Sequence, residues 1–194
     1  AIIEEQISSI LNQEGVDVSI LVRDDGSKDS TPSILKKLME HDSRIVCIFE
    51  NNIGVKASFI KLISMSDSSV DYYAFSDQDD IWLKDKLLIA TTMLEEITEN
   101  IPLIYGSAVS LYKEGAVIGK QFVCPQLHLG NFLVKNYYPG CTMVFNNRLK
   151  DLINLVDYNS LNPFPLHDHW LNLVDTSCGG RVLMDSVPHM LYIA

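Results

Sequence analysis

The stretch "VSILVRDDGSKDSTPSILKKLME" (residues 18–40) combines a short apolar run, an acidic loop and a helical pattern. The run "VSILV" (18–22) is β-branched and shows no polar alternation, which is typical of a strand buried on both faces. Taken alone, Asp25 followed by glycine favours a β-hairpin. Apolar residues then recur at helical spacing over 34–39, so the loop joins a strand to a helix. This strand–loop–helix order is the first sign of an α/β fold.

The same order recurs along the first half of the chain. "RIVCIFE" (44–50) and "DYYAF" (71–75) predict two further strands, and apolar residues stepping by four and three over 83–97 predict a helix. Strands separated by helices of this length favour parallel pairing with right-handed crossovers. We therefore expect an α/β sandwich with a mostly parallel central sheet.

The pattern changes after Pro102. "LIYGSAVSLY", "AVIGKQFV" and "GCTMVFN" are strand-like with glycines between them, and "HDHWLNLVDTS" returns to helical spacing. There is no Gly/Ser linker, so the change predicts two halves, 1–100 and 101–194, of the same single domain.

Composition limits the classes of partner. Fifteen Lys and Arg against 25 Asp and Glu give a net charge of −10, without a basic cluster, which argues against nucleic acid or anionic lipid as the main ligand. The four cysteines are far apart and form no CxxC pair, so neither a zinc site nor a disulfide framework is indicated. No apolar run approaches the roughly 18 residues of a membrane-spanning helix. The expected location is the cytoplasm, either free or peripheral at the inner face of the membrane.

Two acidic loops follow predicted strands. Asp24 and Asp25 come after the first strand, and Asp77 and Asp79 come after "DYYAF". In open parallel sheets ligands bind where the carboxyl ends of strands meet, so these carboxylates are candidates for one site. The alternative is a pair of ordinary strand-to-helix turns with capping residues.

The second loop, "SDQDD" (76–80), suggests a cation. A calcium EF-hand is excluded because Trp82 stands where such a loop needs glycine. Mg²⁺ or Mn²⁺ shared between carboxylates and a diphosphate accounts better for the density of negative charge. Asp80 is predicted to cap the helix that begins near Trp82. A solvated acidic loop remains the alternative.

Two glycine-containing turns have two interpretations each. In "NNIG" (51–54), Gly54 would let a nucleotide approach the backbone and Lys56 would reach a phosphate, or the stretch is a plain turn into a helix. Gly140, beside Cys141, would leave room for a sugar, although sheet packing explains a small residue equally well.

Six blocks of the sequence, in order and at sensible spacings, resemble the successive motifs of family 2 inverting glycosyltransferases with the GT-A fold. They are "EEQISSILNQ", "VRDDGSKDST", "ENNIGVKASF", "FSDQDDIWLKDKL", "PGCTMVFNNRL" and "HDHWLNL". The likeness covers nearly the whole chain and is closest to the bacterial rhamnosyltransferase-like branch. It implies a Rossmann-like α/β/α sandwich with a nucleotide-sugar-binding half and an acceptor-binding half.

The resemblance also implies an activity. A sugar would pass with inversion from a UDP or dTDP sugar to a cell-surface glycan or a lipid-linked saccharide, with Mg²⁺ or Mn²⁺ as cofactor. The alternatives are a non-catalytic nucleotide-sugar-binding fragment and a phosphohydrolase with a DxD motif. "DQDDIW" supplies only the first of the features that such a phosphohydrolase needs.

By the same resemblance, individual residues acquire roles. Asp25, with Asp24 beside it, would meet the base or ribose of the nucleotide. Asp79 matches the metal-binding position of the DxD motif, and Asp77 matches the carboxylate that faces the ribose or the metal. Asp168 falls at the position of the general base, which removes the proton of the attacking hydroxyl. Without the resemblance, Asp168 would be an ordinary N-cap residue.

The chain departs from the family pattern at both ends. The family opens with a strand ending in Thr-Tyr-Asn and continues past its last strand into an Arg-x-His stretch, whereas this sequence starts after the former and stops before the latter. We therefore expect the first strand to be missing from this chain. Unpaired strand edges would then favour self-association.

Overall fold

The computed structural model describes residues 2–122, 127–156 and 166–193. Within these ranges the helices are α1 (Ile2–Leu11), α2 (Thr31–His41), α3 (Val55–Met65), α4 (Lys86–Glu95), α5 (Leu129–Phe132), α6 (Asn147–Asn154) and α7 (His167–Ser177). The strands are β1 (Ile20–Asp24), β2 (Ile45–Phe49), β3 (Tyr72–Ala74), β4 (Ile81–Trp82), β5 (Leu103–Lys113), β6 (Ala116–Gln121), β7 (Val144–Asn146) and β8 (Arg181–Ile193). A turn of 3-10 helix, Gly140–Thr142, precedes β7.

Strands β1 and β2 form a parallel pair connected through α2, as the stretch 18–40 predicts. Ile20 pairs with Ile45, and Asp24 pairs with Phe49 at the carboxyl ends of both strands. The strand runs two residues further than the apolar run, so Asp24 belongs to β1 and its buried side chain lies at the end of the ladder. This places the first acidic loop at a sheet edge where ligands commonly bind.

The other strands form a six-stranded sheet in the order β3–β7–β5–β8–β4, with β6 also pairing with β5. The expectation of a mostly parallel sheet is wrong for this part of the chain, because only β5 and β8 pair in parallel there. The β3–β7, β5–β7, β5–β6 and β4–β8 ladders are antiparallel. For β5 and β6 the reason is the tight hairpin that joins them, since parallel strands need a longer crossover connection. The other three antiparallel ladders pair strands that are distant in the chain, so their direction depends on which strands become neighbours.

The hairpin between β5 and β6 has a two-residue turn, Glu114–Gly115. Both residues have positive φ angles, 50° and 86°, as a type I′ turn requires. The backbone twist of such a turn matches the twist of the flanking strands, so the chain reverses without a helix.

Helices cover both faces of the larger sheet, which makes the predicted sandwich. Alternate residues of β5 face opposite layers: Ile104 packs in a core with α3, α6 and α7, whereas Leu103 and Tyr105 pack against α4. A separate cluster of Ile7, Leu35 and Ile45 joins α1, α2 and β2. The α/β class is therefore confirmed.

Helix α4 begins later than the spacing predicts. It starts at Lys86, and its N-cap position is Asp85, so Asp80 does not cap it. The segment before it is drawn into the sheet because Ile81 and Trp82 pair with Leu191 and Met190 of β8. The apolar periodicity alone could not reveal this pairing partner more than a hundred positions away.

The larger core joins the two halves predicted from the sequence, since Ile63 and Phe75 pack in the same cluster as Ile104 and Leu171. Among the described strands, five pair with one neighbour only: β1, β2, β3, β4 and β6. Self-association through such edges stays a prediction. Within the ranges that the structure describes, no helix combines the length and the apolar character needed to cross a membrane.

Candidate active site

Asp25 holds the loop after β1 against the turn that precedes α3. Its Oδ1 accepts a hydrogen bond from the backbone N–H of Ile53 (2.8 Å) and its Oδ2 accepts one from Gly54 (2.9 Å). Burial by itself would raise the pKa of this carboxyl, but the hydrogen bonds from Arg23 and from the two backbone amides hold it below its usual range. Gly54 has a φ of 85°, which favours glycine at this turn. The structure thus brings Asp25 and Gly54 together.

Arg23 donates hydrogen bonds to four residues at and around Asp25. Its side chain is only 1% exposed. Nη1 donates to Asp25 and to Oγ of Ser58 (2.8 Å), Nε donates to Oε2 of Glu50 (3.0 Å), and Nη2 donates to the carbonyl of Asn51 (2.7 Å). One buried guanidinium therefore connects β1, the end of β2 and helix α3.

A cavity opens at the carboxyl ends of β1 and β2. Its volume is about 660 Å³, and its lining residues are Arg23, Asp24, Pro32, Lys36, Phe49, Glu50, Asn51, Ile53 and Lys61. Asp24 is buried at its edge, where Oδ2 accepts a hydrogen bond from the backbone of Ser27 (3.1 Å). Lys56 lies in the first turn of α3.

The second acidic loop meets the start of α7. Burial, and then the neighbouring charges of Asp79 and Asp168, raise the pKa of Asp77 above its usual value. Asp77 therefore lies close enough to Asp79 and to Asp168 for its charge to interact with each of theirs. The loop is also attached to α1, because Nε2 of Gln6 donates to Oγ of Ser76 (2.6 Å).

Asp77, Asp80 and Cys141 each present a potential ligand atom within 4.8 Å of the others. Asp80 is 1% exposed, and neither of its oxygens has a hydrogen-bond partner among the described residues. Burial, helped by the charges of Asp77 and Asp79, raises the pKa of Asp80 to about 6, against the opposing influence of the Cys141 thiol and the backbone of Asp77. Orphaned carboxylate oxygens beside Asp77 fit a divalent cation. Asp79 is not part of this group, so its role as a metal ligand stays a prediction.

A buried cation lies beneath the loop. Nζ of Lys86 sits 3.7 Å from the ring centroid of Trp82, and within the described ranges it has no hydrogen-bond partner. Burial lowers the pKa of Lys86 to about 8, against the opposing influence of Cys141 and Asp80. The acidic loop thus lies next to the Trp82 ring and the Lys86 ammonium group. The positive charge of Lys86 offsets part of the negative charge of the loop.

Asp168 is held from several sides. Its Oδ2 accepts hydrogen bonds from Nδ2 of Asn136 (2.9 Å) and from the backbone of Gly140 (3.1 Å), and its Oδ1 accepts one from the backbone of His169 (2.7 Å). The side chain lies in the first turn of α7 and is 6% exposed. The N-cap position belongs to Leu166, so the capping alternative for Asp168 is wrong.

The environment of Gly140 decides between its two interpretations. A Cβ there would lie 3.0 Å from Cβ of Asp168 and 3.1 Å from Nε2 of His167. The space that a side chain would take is therefore filled by the protein itself rather than left open for a sugar. His167 stacks on Phe59 (4.0 Å between centroids) and meets the edge of Phe75 (4.8 Å), which joins α3, the end of β3 and α7.

Sequence reasoning missed Arg23, Asn136 and Lys86. Arg23 stands directly before "DD", at the position of a strand residue, where a charged side chain is unusual enough to have served as a signal. Asn136 and Lys86 sit in stretches with ordinary polar composition, and no local pattern distinguishes them from solvent-exposed residues.

Comparison with known proteins supports one family. The chain matches the family model of Glycosyl transferase family 2 over residues 1–161. The dTDP-rhamnosyl transferase RfbG of Shigella flexneri is 31% identical over 201 residues, which cover 98% of this chain and 67% of that protein. The UDP-Glc:alpha-D-GlcNAc-diphosphoundecaprenol beta-1,3-glucosyltransferase WfgD of Escherichia coli is 33% identical over 162 residues, 84% of this chain and 57% of that protein. The chain thus spans 57 to 67% of these relatives.

Solved structures confirm the fold. TarS of S. aureus superposes with a TM-score of 0.72 at 16% identity, over 98% of this chain and 56% of the compared TarS chain. The mannosyltransferase PcManGT from Pyrobaculum calidifontis, in complex with GDP-Man and Mn²⁺, gives a TM-score of 0.63 at 18% identity over 100% of this chain and 52% of that one. At these identities the likeness concerns the fold, which is GT-A.

Proposed function

Because the chain belongs to glycosyl transferase family 2, we propose that it transfers a hexosyl or rhamnosyl group, with inversion, from a UDP or dTDP sugar to a saccharide acceptor. The observation that carries this proposal is the arrangement of Asp168. Its carboxylate is buried, held by three donors, and close enough to Asp77 for their charges to interact.

Asp168 is the proposed general base. The hydroxyl of an acceptor must lose its proton as it attacks the anomeric carbon, and a fixed carboxylate can take it. Oδ2 already accepts two hydrogen bonds, whereas Oδ1 accepts one from the backbone of His169. Oδ1 therefore retains more capacity to accept the proton. The stack of His167 on Phe59 helps to keep this end of α7 in place.

The donor nucleotide is proposed to bind at the carboxyl ends of β1 and β2. Asp25, with Asp24 beside it, would face the base or ribose, and the left-handed backbone at Gly54 lets a ligand approach the turn closely. Lys56, in the first turn of α3, would contribute positive charge toward the diphosphate.

Asp77 and Asp79 are the proposed ligands of the divalent cation, and Asp80 and Cys141 lie beside Asp77 as further potential donors. Carboxylate oxygens suit the hard ions Mg²⁺ and Mn²⁺. When bound, such an ion would neutralise the charge that develops on the departing nucleoside diphosphate. The pKa of Asp77 is raised first by burial and then by the charges of Asp79 and Asp168, and a bound cation would offset both effects.

A lipid-linked saccharide is the proposed acceptor. The name of WfgD specifies a diphosphoundecaprenol-linked acceptor and a glucosyl donor, and that of RfbG specifies dTDP-rhamnosyl transfer. By extension, this chain would act in the synthesis of a bacterial surface polysaccharide, at the cytoplasmic face of the membrane, where such an acceptor would be presented.

The test is thermal unfolding with UDP, dTDP and GDP sugars, with and without Mn²⁺, followed by detection of product. A donor at one hundred times its Kd should stabilise the folded protein by about 2.7 kcal/mol. A metal-dependent shift together with product formation supports the proposal. A shift without product for any acceptor tried would favour the non-catalytic binding alternative, and the absence of any shift would refute the donor site.

A further inference from the structure

The carboxylate of Asp168 lies at the end of a series of hydrogen-bonded polar side chains, of which Tyr138 and Asn172 are buried and Asn136 is half-buried. The hydroxyl of Tyr138 donates to Oδ1 of Asn172 (2.5 Å), Nδ2 of Asn172 donates to Oδ1 of Asn136 (3.1 Å), and Nδ2 of Asn136 donates to Oδ2 of Asp168 (2.9 Å). Each group donates to the next in the same direction. We propose that Asn136, oriented by Asn172 and Tyr138, is a positioning residue that fixes which oxygen of Asp168 receives the acceptor proton. This inference rests on the proposed function.

The orientation of the Asn136 amide follows from its surroundings. Its Nδ2 also donates to the carbonyl of Tyr138 (3.0 Å), and its Oδ1 also accepts from the backbone of Tyr137 (3.1 Å), so all four of its hydrogen-bonding positions are used. A rotated amide would set oxygen against the oxygen of Asp168 and nitrogen against the nitrogens of Tyr137 and Asn172. The amide therefore has one favourable orientation, with its donors toward the carboxylate.

Asn172 has a similarly restricted amide. Its Nδ2 donates to the carbonyl of Asp168 (3.2 Å) as well as to Asn136, and its Oδ1 can accept only if the hydroxyl of Tyr138 donates. Asn172 is 0% exposed and Tyr138 is 5% exposed, so water cannot readily replace either partner. Bonds aligned in series in a buried site polarise one another, which strengthens the last bond of the series.

The backbone leaves room for this series of hydrogen-bonded side chains. Tyr138 fits beside β5 only because position 106 is glycine: a Cβ there would lie 2.7 Å from Cε2 of the Tyr138 ring. The 3-10 turn that follows Tyr138 then delivers the N–H of Gly140 to the same Oδ2. With two donors on Oδ2 and one backbone donor on Oδ1, the carboxylate cannot rotate freely, and Oδ1 is left to accept the proton of a substrate.

The test compares Asn136→Asp with the wild-type full chain. This change preserves shape but removes the donor and places a second carboxylate against Asp168. We expect kcat to fall at least roughly tenfold, the KM for the donor sugar to stay within about twofold, and the stabilisation by donor and Mn²⁺ to be retained. Asn154→Asp, at an exposed position of α6, is the matched control and should behave as wild type.

Tyr138→Phe provides a second variant that does not touch Asp168. It leaves Oδ1 of Asn172 without its donor, so the amides of Asn172 and Asn136 lose their fixed orientation. We expect kcat to fall by roughly threefold to tenfold at unchanged donor KM. If Asn136→Asp does not fold, the kcat of Tyr138→Phe tests the positioning role instead.

Three results would overturn the positioning role. The first is a wild-type kcat in folded Asn136→Asp or in Tyr138→Phe. The second is a change in either variant that is confined to the acceptor KM, and the third is a loss of stability in either variant with kcat per folded molecule unchanged. If the wild-type chain itself forms no product although it binds the donor, the proposed function fails and the positioning role fails with it. The wild-type reaction, run in parallel, thus separates the two failures.

Discussion

The backbone N–H of Gly140 donates to Oδ2 of Asp168 at 3.1 Å, and the two residues are so close that a Cβ on Gly140 would lie 3.0 Å from Cβ of Asp168. A glycine at the start of a 3-10 turn and a carboxylate in the first turn of α7 therefore form one unit. Glycine at position 140 allows the Asp168 carboxylate to lie directly against the backbone of the turn.

Gly140→Ala should impair transfer more than it impairs folding. The added methyl group must push Asp168 or His167 aside, which we expect to cost about 1–2 kcal/mol of unfolding free energy and at least roughly a tenfold loss in kcat. Gly119→Ala is the matched control, because a Cβ there meets only Leu111 at an ordinary 3.8 Å. Full activity of Gly140→Ala would contradict the close packing described for this turn.

Asp168→Asn should separate donor binding from transfer. The amide is nearly isosteric but cannot take a proton, so we expect transfer to fall by at least roughly a hundredfold. Stabilisation by the donor and Mn²⁺ should remain, because the proposed donor site lies at the carboxyl ends of β1 and β2, away from Asp168. The measurement is product formation alongside thermal unfolding. Transfer equal to that of the unmodified chain would rule out Asp168 as the base.

Substitutions in the acidic loop should identify the metal ligands. Asp79→Ala is expected to abolish the Mn²⁺-dependent part of the donor-induced shift in melting temperature, since it removes a predicted ligand. Asp17→Ala, at an exposed position, is the control and should leave that shift intact. If Asp79→Ala retains the shift and Asp80→Asn loses it, the pair that binds the ion is Asp77 and Asp80, the two carboxylates that the structure groups with Cys141.

Asp175 should make stability depend on pH. Neither of its carboxyl oxygens has a hydrogen-bond partner in the part of the chain that the structure describes, and burial raises its pKa from 3.8 to about 8. Between these two values the folded state keeps a proton that the unfolded state releases, so the unfolding free energy contributed by this group falls as pH rises from about 4 to about 8.

Asp175→Asn removes this proton linkage. Relative to wild type, the variant should gain stability across that interval, by on the order of 4 kcal/mol at pH 7. Urea unfolding at pH 4.5, 6 and 7.5 measures it, with Asp17→Asn as the exposed control. A difference between variant and wild type that stays constant over these pH values would show that Asp175 is not protonated in the folded state.

Arg23→Met should weaken both the fold and donor binding. The change removes the buried partner of Asp25 and Glu50, whose side chains are 24% and 34% exposed, so water can compensate only in part. We expect a loss of about 2–3 kcal/mol in unfolding free energy. Arg44→Met, which removes the partner of Asp42 at a half-exposed site, should cost well under that. Equal losses of unfolding free energy in the two variants would show that the burial of Arg23 does not strengthen its ion pairs.

The elements with their own local signal were predictable from the sequence. The apolar run before Asp24 and the helical spacing after it define β1 and α2 within two to three residues, and the Gly115 turn lies between the two strand-like segments that form a hairpin. The start of α4 was not predictable, because Ile81 joins a strand in response to Leu191, a partner distant in the chain. Antiparallel pairing in the larger sheet has the same origin: it depends on which strands become neighbours.

Parts of the candidate site were predictable from the sequence where several acidic residues stand close together in one motif. The structure brings Asp77 close to Asp79 and to Asp168, whereas the roles that the resemblance gives these three carboxylates stay predictions. Asn136 was missed, because its importance comes from the direction of its hydrogen bonds to Asn172 and Asp168, and a neutral amide in a loop leaves no trace in spacing or composition.

The hydrogen bonds that Asp25 accepts from Ile53 and Gly54 also give the proposed nucleotide site a spectroscopic reporter. An amide proton directed at a carboxylate has a chemical shift that is sensitive to any change in that bond. A base or ribose that hydrogen-bonds to Asp25 must share its lone pairs with these amides. The resonances of Ile53 and Gly54 would then register occupancy in the resting protein, before any sugar is transferred and without an attached label.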